Sequence, residues 1–247
     1  MRIAFLHIPK TAGQSVHRSL VDLFPPAKIC PARSNKALYG YSIGELSSYD
    51  LFSGHLDWSI VKLSGKFDFV FTVLRDPMDR ILSFYFYLRK EALRRQKLGE
   101  RIGEGMQAAI GLSPQEYFTG ASPRIRRFLD NHYNNFYAYY LASGSYSGYS
   151  LLSEKFPPGS KELTDYALLG LSSLDRAYTL SNLGQLEKDV SSLAGVDLRQ
   201  IAKFNVNESV LPSDRKRLLA EMSGDWDWEY DLSMLIESDH EIFHRFN

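Results

Sequence analysis

The run Asp68-Phe-Val-Phe-Thr-Val-Leu74 is the most constraining stretch of this chain. It is β-branched and aromatic, and too apolar to keep a solvent face, so it predicts a strand buried on both sides. Such strands occur in parallel sheets covered by helices on both faces. Arg75-Asp76-Pro77 breaks the run at once, and helical spacing follows from about Met78 through Arg95.

The same order of strand, turn and helix recurs earlier. Arg2 to His7 reads as a strand, Pro9 to Gly13 as a punctuated turn, and Ser15 to Phe24 as a helix ended by Pro25-Pro26. Asp50 to Ser53 predicts a further short strand. Ala177 to Ser181 predicts a late strand and Leu183 to Leu193 the helix after it. Beyond Lys97 the pattern is mostly helical, with a capping box at Ser113 to Glu116. Loops are expected at Gly144 to Ser150 and Pro157 to Gly159. Helices are expected at Ser213 to Met222 and, unbroken, at Trp228 to Phe246. The expectation is an α/β fold with a central parallel sheet flanked by helices, as one domain over residues 1–247 with a helix-rich C-terminal half. No internal repeat or linker divides it.

Two turns carry the chemistry. In His7-Ile8-Pro9-Lys10-Thr11-Ala12-Gly13-Gln14-Ser15, a loop joins a strand end to a helix start. Unpaired amides and the helix dipole make such a place receptive to phosphate or sulfate. A helix terminus contributes only about 0.3–1 kcal/mol towards an exposed charge. Lys10 would supply the full charge, Gly13 close backbone approach, and Thr11 and Ser15 hydroxyls. The plainer alternative is an ordinary connecting loop, since the G-x-x-x-x-G-K-[ST] pattern is absent. In the second turn, Arg75 leaves a strand at its C-terminal end, where open α/β sheets bind ligands. Its planar fork suits phosphate, and Ser83 lies about one turn beyond Arg80. The plainer alternative is a capped helix start held by an Arg–Asp pair.

A histidine able to take a proton near neutral pH completes the set. Of six, His55 in Ser53-Gly54-His55-Leu56-Asp57-Trp58 follows a predicted strand, with Gly54 expected to leave room for a ligand. Otherwise it is a histidine bonded beneath a loop. His7 ends the first strand and would touch the site or support it. His17, His132, His240 and His244 have no context that singles them out.

These segments resemble the PAPS-dependent sulfotransferases, most closely the carbohydrate branch that includes the heparan sulfate 2-O and 6-O enzymes. H-I-P-K-T-A-G-Q-S resembles that family's 5′-phosphosulfate loop, and R-D-P-M-D-R-I-L-S-F-Y its 3′-phosphate motif. The resemblance implies a P-loop-kinase-like fold with 3′-phosphoadenosine 5′-phosphosulfate (PAPS) across the strand ends. Lys10, Thr11, Ala12, Gly13, Gln14 and Ser15 would hold the 5′ side, and Lys10 would assist the leaving oxygen. Arg75 and Ser83 would hold the 3′-phosphate. Arg80 would support the loop or acceptor side, and Tyr85 would pack. His55 matches the family's proposed general base. Lys203 to Ser209 loosely resembles a late loop that closes over the nucleotide, which implies Asn205 as a further contact. PAP would be the product, and lysine would take the place of a metal.

Composition limits the rest. Lys plus Arg and Asp plus Glu both total 29, so the formal charge is zero. That argues against whole-surface affinity for nucleic acid or anionic membrane. The basic run Arg89, Lys90, Arg94, Arg95, Lys97 and Arg101 reads as a solvated helix face, or else as a rim for an anionic acceptor. The aromatics Tyr133, Phe136, Tyr137, Tyr139 and Tyr140 read as core at helical spacing, or else as a sugar-stacking surface. Cys30 is the single cysteine, so neither an intrachain disulfide nor a cysteine zinc site is expected. No secretory leader or ~20-residue apolar span is visible, which suggests a cytoplasmic enzyme. The expected acceptor is a hydroxyl, on a glycan or glycolipid. Alternatives are an ATP- or GTP-dependent kinase on a related fold, and a non-catalytic nucleotide-binding module.

Overall fold

A computed structural model describes residues 1–196 and 212–246. Four strands, β1 (Ile3–Leu6), β2 (Leu51–Gly54), β3 (Phe69–Leu74) and β4 (Arg176–Thr179), form one sheet in the order β2-β1-β3-β4. All pairings are parallel. The predicted central strand is β3, and it is buried along its length except at Phe69, which is half-buried.

Strand alternation sorts the side chains between two faces. Ile3, Phe5, Phe71 and Val73 pack with helix α1 (Gly13–Val21) and the helix Leu183–Ala194. Ala4, Leu6, Val70 and Leu74 face the helices Phe136–Ser143, Lys161–Ser172 and Glu237–Phe246. Helices on both faces explain why the central strands carry no polar stripe. A third cluster lies along the helix Pro77–Lys97, where Ile81, Leu82, Tyr85 and Leu88 meet Tyr117, Leu129, Tyr133 and Leu219. The aromatic stretch is core: Tyr133, Phe136, Tyr137, Tyr139 and Tyr140 are all buried.

The chain departs from its local pattern in two places. The helix Gly148–Leu152 begins inside the segment 144–150 expected to be a loop. A Cβ on Gly148 would stand 2.4 Å from the Tyr139 carbonyl oxygen, so this glycine serves close helix packing rather than a turn. The expected helix over 228–246 is two, Trp228–Met234 and Glu237–Phe246. Asn135, at φ 45°, donates its amide to the Leu235 carbonyl at 2.7 Å. Its Oδ1 accepts from the Ser238 amide, also at 2.7 Å. A distant residue thus takes both bonds that would have carried the helix through. Among the described residues no helix is long and apolar enough to cross a membrane.

Strand order reverses between β1 and β3, because β1 leads to β2 on one side and has β3 on the other. Open α/β sheets place their ligand crevice at such a switch point, beyond the C-terminal strand ends. His7 follows β1, His55 follows β2 and Arg75 follows β3.

Candidate functional site

The loop after β1 holds a strained backbone. Lys10 and Ala12 both have left-handed φ, at 70° and 64°, without being glycine. Each costs about 1–2 kcal/mol, and such strain collects at functional sites. Left-handed residues in a loop also turn successive amides to one side, as an anion-binding concavity. Helix α1 opens there, with the amides of Ser15 and Val16 bonded to the Ala12 carbonyl at 3.0 and 3.2 Å. Lys10 extends its ammonium over the Tyr87 ring, 4.5 Å from the centroid.

Several side chains differ in detail from expectation. Thr11 is fully buried and donates to the Ile8 carbonyl at 2.9 Å, so its hydroxyl proton holds the loop closed. Gln14 is exposed, whereas Ser15 is buried. Gly13 makes room for a protein group: a Cβ there would stand 1.6 Å from His7 Nε2. Gly54 likewise clears space for backbone, with its added Cβ 2.9 Å from Arg33 Cα.

The second turn contacts the first directly. Arg75, only 4% exposed, donates from Nη1 to the Lys10 carbonyl at 3.1 Å and to Ser83 Oγ at 3.3 Å. The two motif turns are therefore in direct contact. Asp76 caps the helix by accepting from the Asp79 amide at 2.8 Å. Asp79 pairs with Arg75 Nε at 2.6 Å and with Arg215 Nη1 at 2.8 Å. A capped start and an Arg–Asp pair are both present, with Asp79 as the partner. Arg80 lies away from this contact. It is fully buried, donates to the carbonyls of His132 and Tyr133, and rests on Phe136 and Tyr137. It supports an internal turn. Tyr85 packs in the core.

His55 meets His7 edge to face, with ring centroids 4.4 Å apart, and leans on Tyr146 at 5.6 Å. Register explains the meeting, since Leu6 of β1 lies opposite Gly54 of β2. Burial pushes His55 down to about 4, and the nearby Arg33 charge and His132 add to the effect. Burial first, then His55 and Arg33, hold His7 well below the usual histidine range. Both rings are neutral at neutral pH, and a neutral imidazole can accept a proton.

Sequence reasoning passed over several residues here. Buried Asp57 accepts from Asn35 Nδ2 at 2.7 Å, Ser145 Oγ at 3.0 Å and the Tyr146 amide at 2.7 Å, and from the Tyr39 hydroxyl. Tyr146 donates its hydroxyl to the His7 carbonyl. Asp57 thereby ties the segment after His55 to the wall beside His7. His17 Nδ1 accepts from Ser53 Oγ at 3.1 Å and from Arg33. Asp79 stood in the quoted motif, four residues after Arg75, where helical spacing could have found it. For Arg33 and Tyr146 no local signal existed. Asn205 lies outside the described residues.

The basic run is largely solvated. Arg94 is exposed and Arg95 half-buried, and they pair with Glu91 at 2.7 and 2.8 Å.

A family model described as the sulfotransferase family matches residues 1–149, which include β1 to β3 and all three motif turns. No curated protein matches the chain.

Proposed function

We propose that this chain, which belongs to the sulfotransferase family, uses PAPS to sulfate a hydroxyl of a carbohydrate or glycan acceptor. The observation that supports it most is the 3.1 Å bond from Arg75 to the Lys10 carbonyl. A molecule bearing phosphate at both the 3′ and 5′ positions needs two anion sites on one continuous edge, which ATP does not.

The residues fit such a donor. Lys10, the amides from Thr11 to Gln14 and the Ser15 hydroxyl would hold the 5′ side, on a loop with two left-handed residues, Lys10 and Ala12. Arg75 and Ser83 would hold the 3′-phosphate, with Asp79 fixing the guanidinium. Asn205 is retained as a further contact. When bound, the donor supplies an activated sulfuryl group. His55 takes the proton of the attacking hydroxyl, and its depressed basicity keeps it unprotonated and ready. Lys10 and the loop amides would stabilise charge on the donor's leaving oxygen, so that catalysis would rest on positioning and electrostatics.

Transfer of labelled sulfate from PAPS, screened over glycan and glycolipid extracts, tests the reading. His55→Ala is expected to lower transfer ~10²–10⁴-fold, the usual contribution of a positioned base, while PAP binding stays intact. An unchanged rate removes His55 from the reaction. Stronger thermal stabilisation by ATP–magnesium than by PAP would favour a kinase instead.

A further inference from the structure

Arg33 has an environment that its own fold does not explain. It sits on a segment running beside β2, with parallel bridges from Ile29 to Leu51 and from Ser34 to His55. Its carbonyl accepts from the His55 amide at 3.1 Å, and its backbone fills the space above Gly54. The backbone is therefore fixed relative to the base.

The side chain is half-buried, and burial works against its charge. Among the described residues no carboxylate forms an ion pair with it. Its guanidinium donates to His17 Nδ1, which also accepts from Ser53 Oγ. That nitrogen is an acceptor, so the His17 proton sits on Nε2 and the ring is neutral. The groups around Arg33 are thus neutral imidazoles (His7, His17 and His55), with the Lys10 cation acting on His7 and the Arg18 cation on His17. A partly desolvated guanidinium among such neighbours lacks a counter-charge, and its fork suits a carboxylate or sulfate bidentately.

We infer that Arg33, steadied by His17, receives an anionic substituent of the acceptor, a carboxylate or sulfate ester, beside the hydroxyl that His55 deprotonates. The inference rests on the donor reading above. The donor's own charges face Lys10 and Arg75, whereas Arg33 is bonded through its backbone to the base, where the acceptor must come. An anion there also offsets one of the charges that weaken His55 as a base, and does so only once the acceptor is seated.

The test uses the whole protein saturated with PAP, followed by nitrogen-15 NMR of arginine Nε–H groups. Sodium sulfate, sodium glucuronate and glucose are titrated at constant ionic strength held with sodium chloride. The Arg33 signal, assigned by its absence in Arg33→Gln, is expected to shift saturably with sulfate or glucuronate and not with glucose. Arg33→Gln should bind PAP within ~3-fold of the parent, because the donor's charges lie elsewhere. No saturable response to either anion with PAP bound overturns the inference alone. A response seen only without PAP assigns Arg33 to the donor's phosphate and overturns it too. Failure of PAP to bind the parent protein overturns the donor reading, and this inference with it.

Discussion

Gly13 and Gly54 show how single atoms set this site. Each lacks a Cβ because another part of the chain occupies the place: the His7 imidazole at one, the Arg33 backbone at the other. Gly13→Ala would drive His7 sideways into His55, 4.4 Å away. Gly54→Ala would push on backbone, which yields less readily than a side chain. Both are expected to destabilise by about 1–3 kcal/mol, the usual range for overpacking, with Gly54→Ala the more severe. Urea unfolding of the two variants measures this. Parent-like midpoints for both would mean that the crevice floor is looser than these contacts imply.

At the scale of elements, the turn after β3 is held in part by a carboxylate shared between two buried arginines. Asp79 holds Arg75, on the turn after β3, and Arg215, on the helix Pro212–Ser223. The exposures of the three side chains are 4%, 3% and 17% for Arg75, Arg215 and Asp79, so screening by water is weak. Asp79→Asn withdraws their shared negative charge, and breaking such a buried pair typically costs about 3–5 kcal/mol. If Arg75 faces the nucleotide's 3′-phosphate, PAP replaces part of the missing charge. The variant should then lose much thermal stability without ligand and regain part of it with PAP. An equal loss of melting temperature in both conditions would remove Arg75 from the nucleotide site.

Over the whole molecule, burial of neutral histidines makes the fold sensitive to acid. His17, His55 and His132 are lowered to about 4 and His7 well below its usual value. Between pH 6.5 and about 4 the unfolded chain therefore binds protons on these four that the folded chain refuses, and stability falls as pH drops. Asp239 acts oppositely. Burial raises it to about 6, so the folded chain takes up its proton first. Four histidines less one aspartate leave at most three protons, or about 4 kcal/mol per pH unit, with half-exposed His17 contributing less. Since a whole domain is stable by only ~5–15 kcal/mol, unfolding should set in above pH 4. Activity lost in acid should follow that unfolding, since His55 itself stays neutral to about pH 4. Circular dichroism against pH at fixed temperature checks the point, and constant stability from pH 7 to 4 would refute it.

How far local sequence carries can be seen residue by residue. The run 68–74 announced a doubly covered strand because a segment with no polar face has nowhere else to go. The turns carrying Lys10 and Arg75 were legible because each follows an apolar run at its C-terminal end and is broken by proline or glycine. The sequence by itself thus determined the strands, the turns after them and the residues carrying charge at those turns, since each follows from side chains a few positions apart. Tertiary structure alone decided that Arg33, 22 positions before His55, bonds to that residue's amide, and that Asn135 divides the last predicted helix. It also decided that the space an added Cβ would take at Gly13 and Gly54 is filled by protein. The physical reason is register: placing Leu6 opposite Gly54 sets which distant groups meet, and periodicity within a segment holds no record of its neighbours.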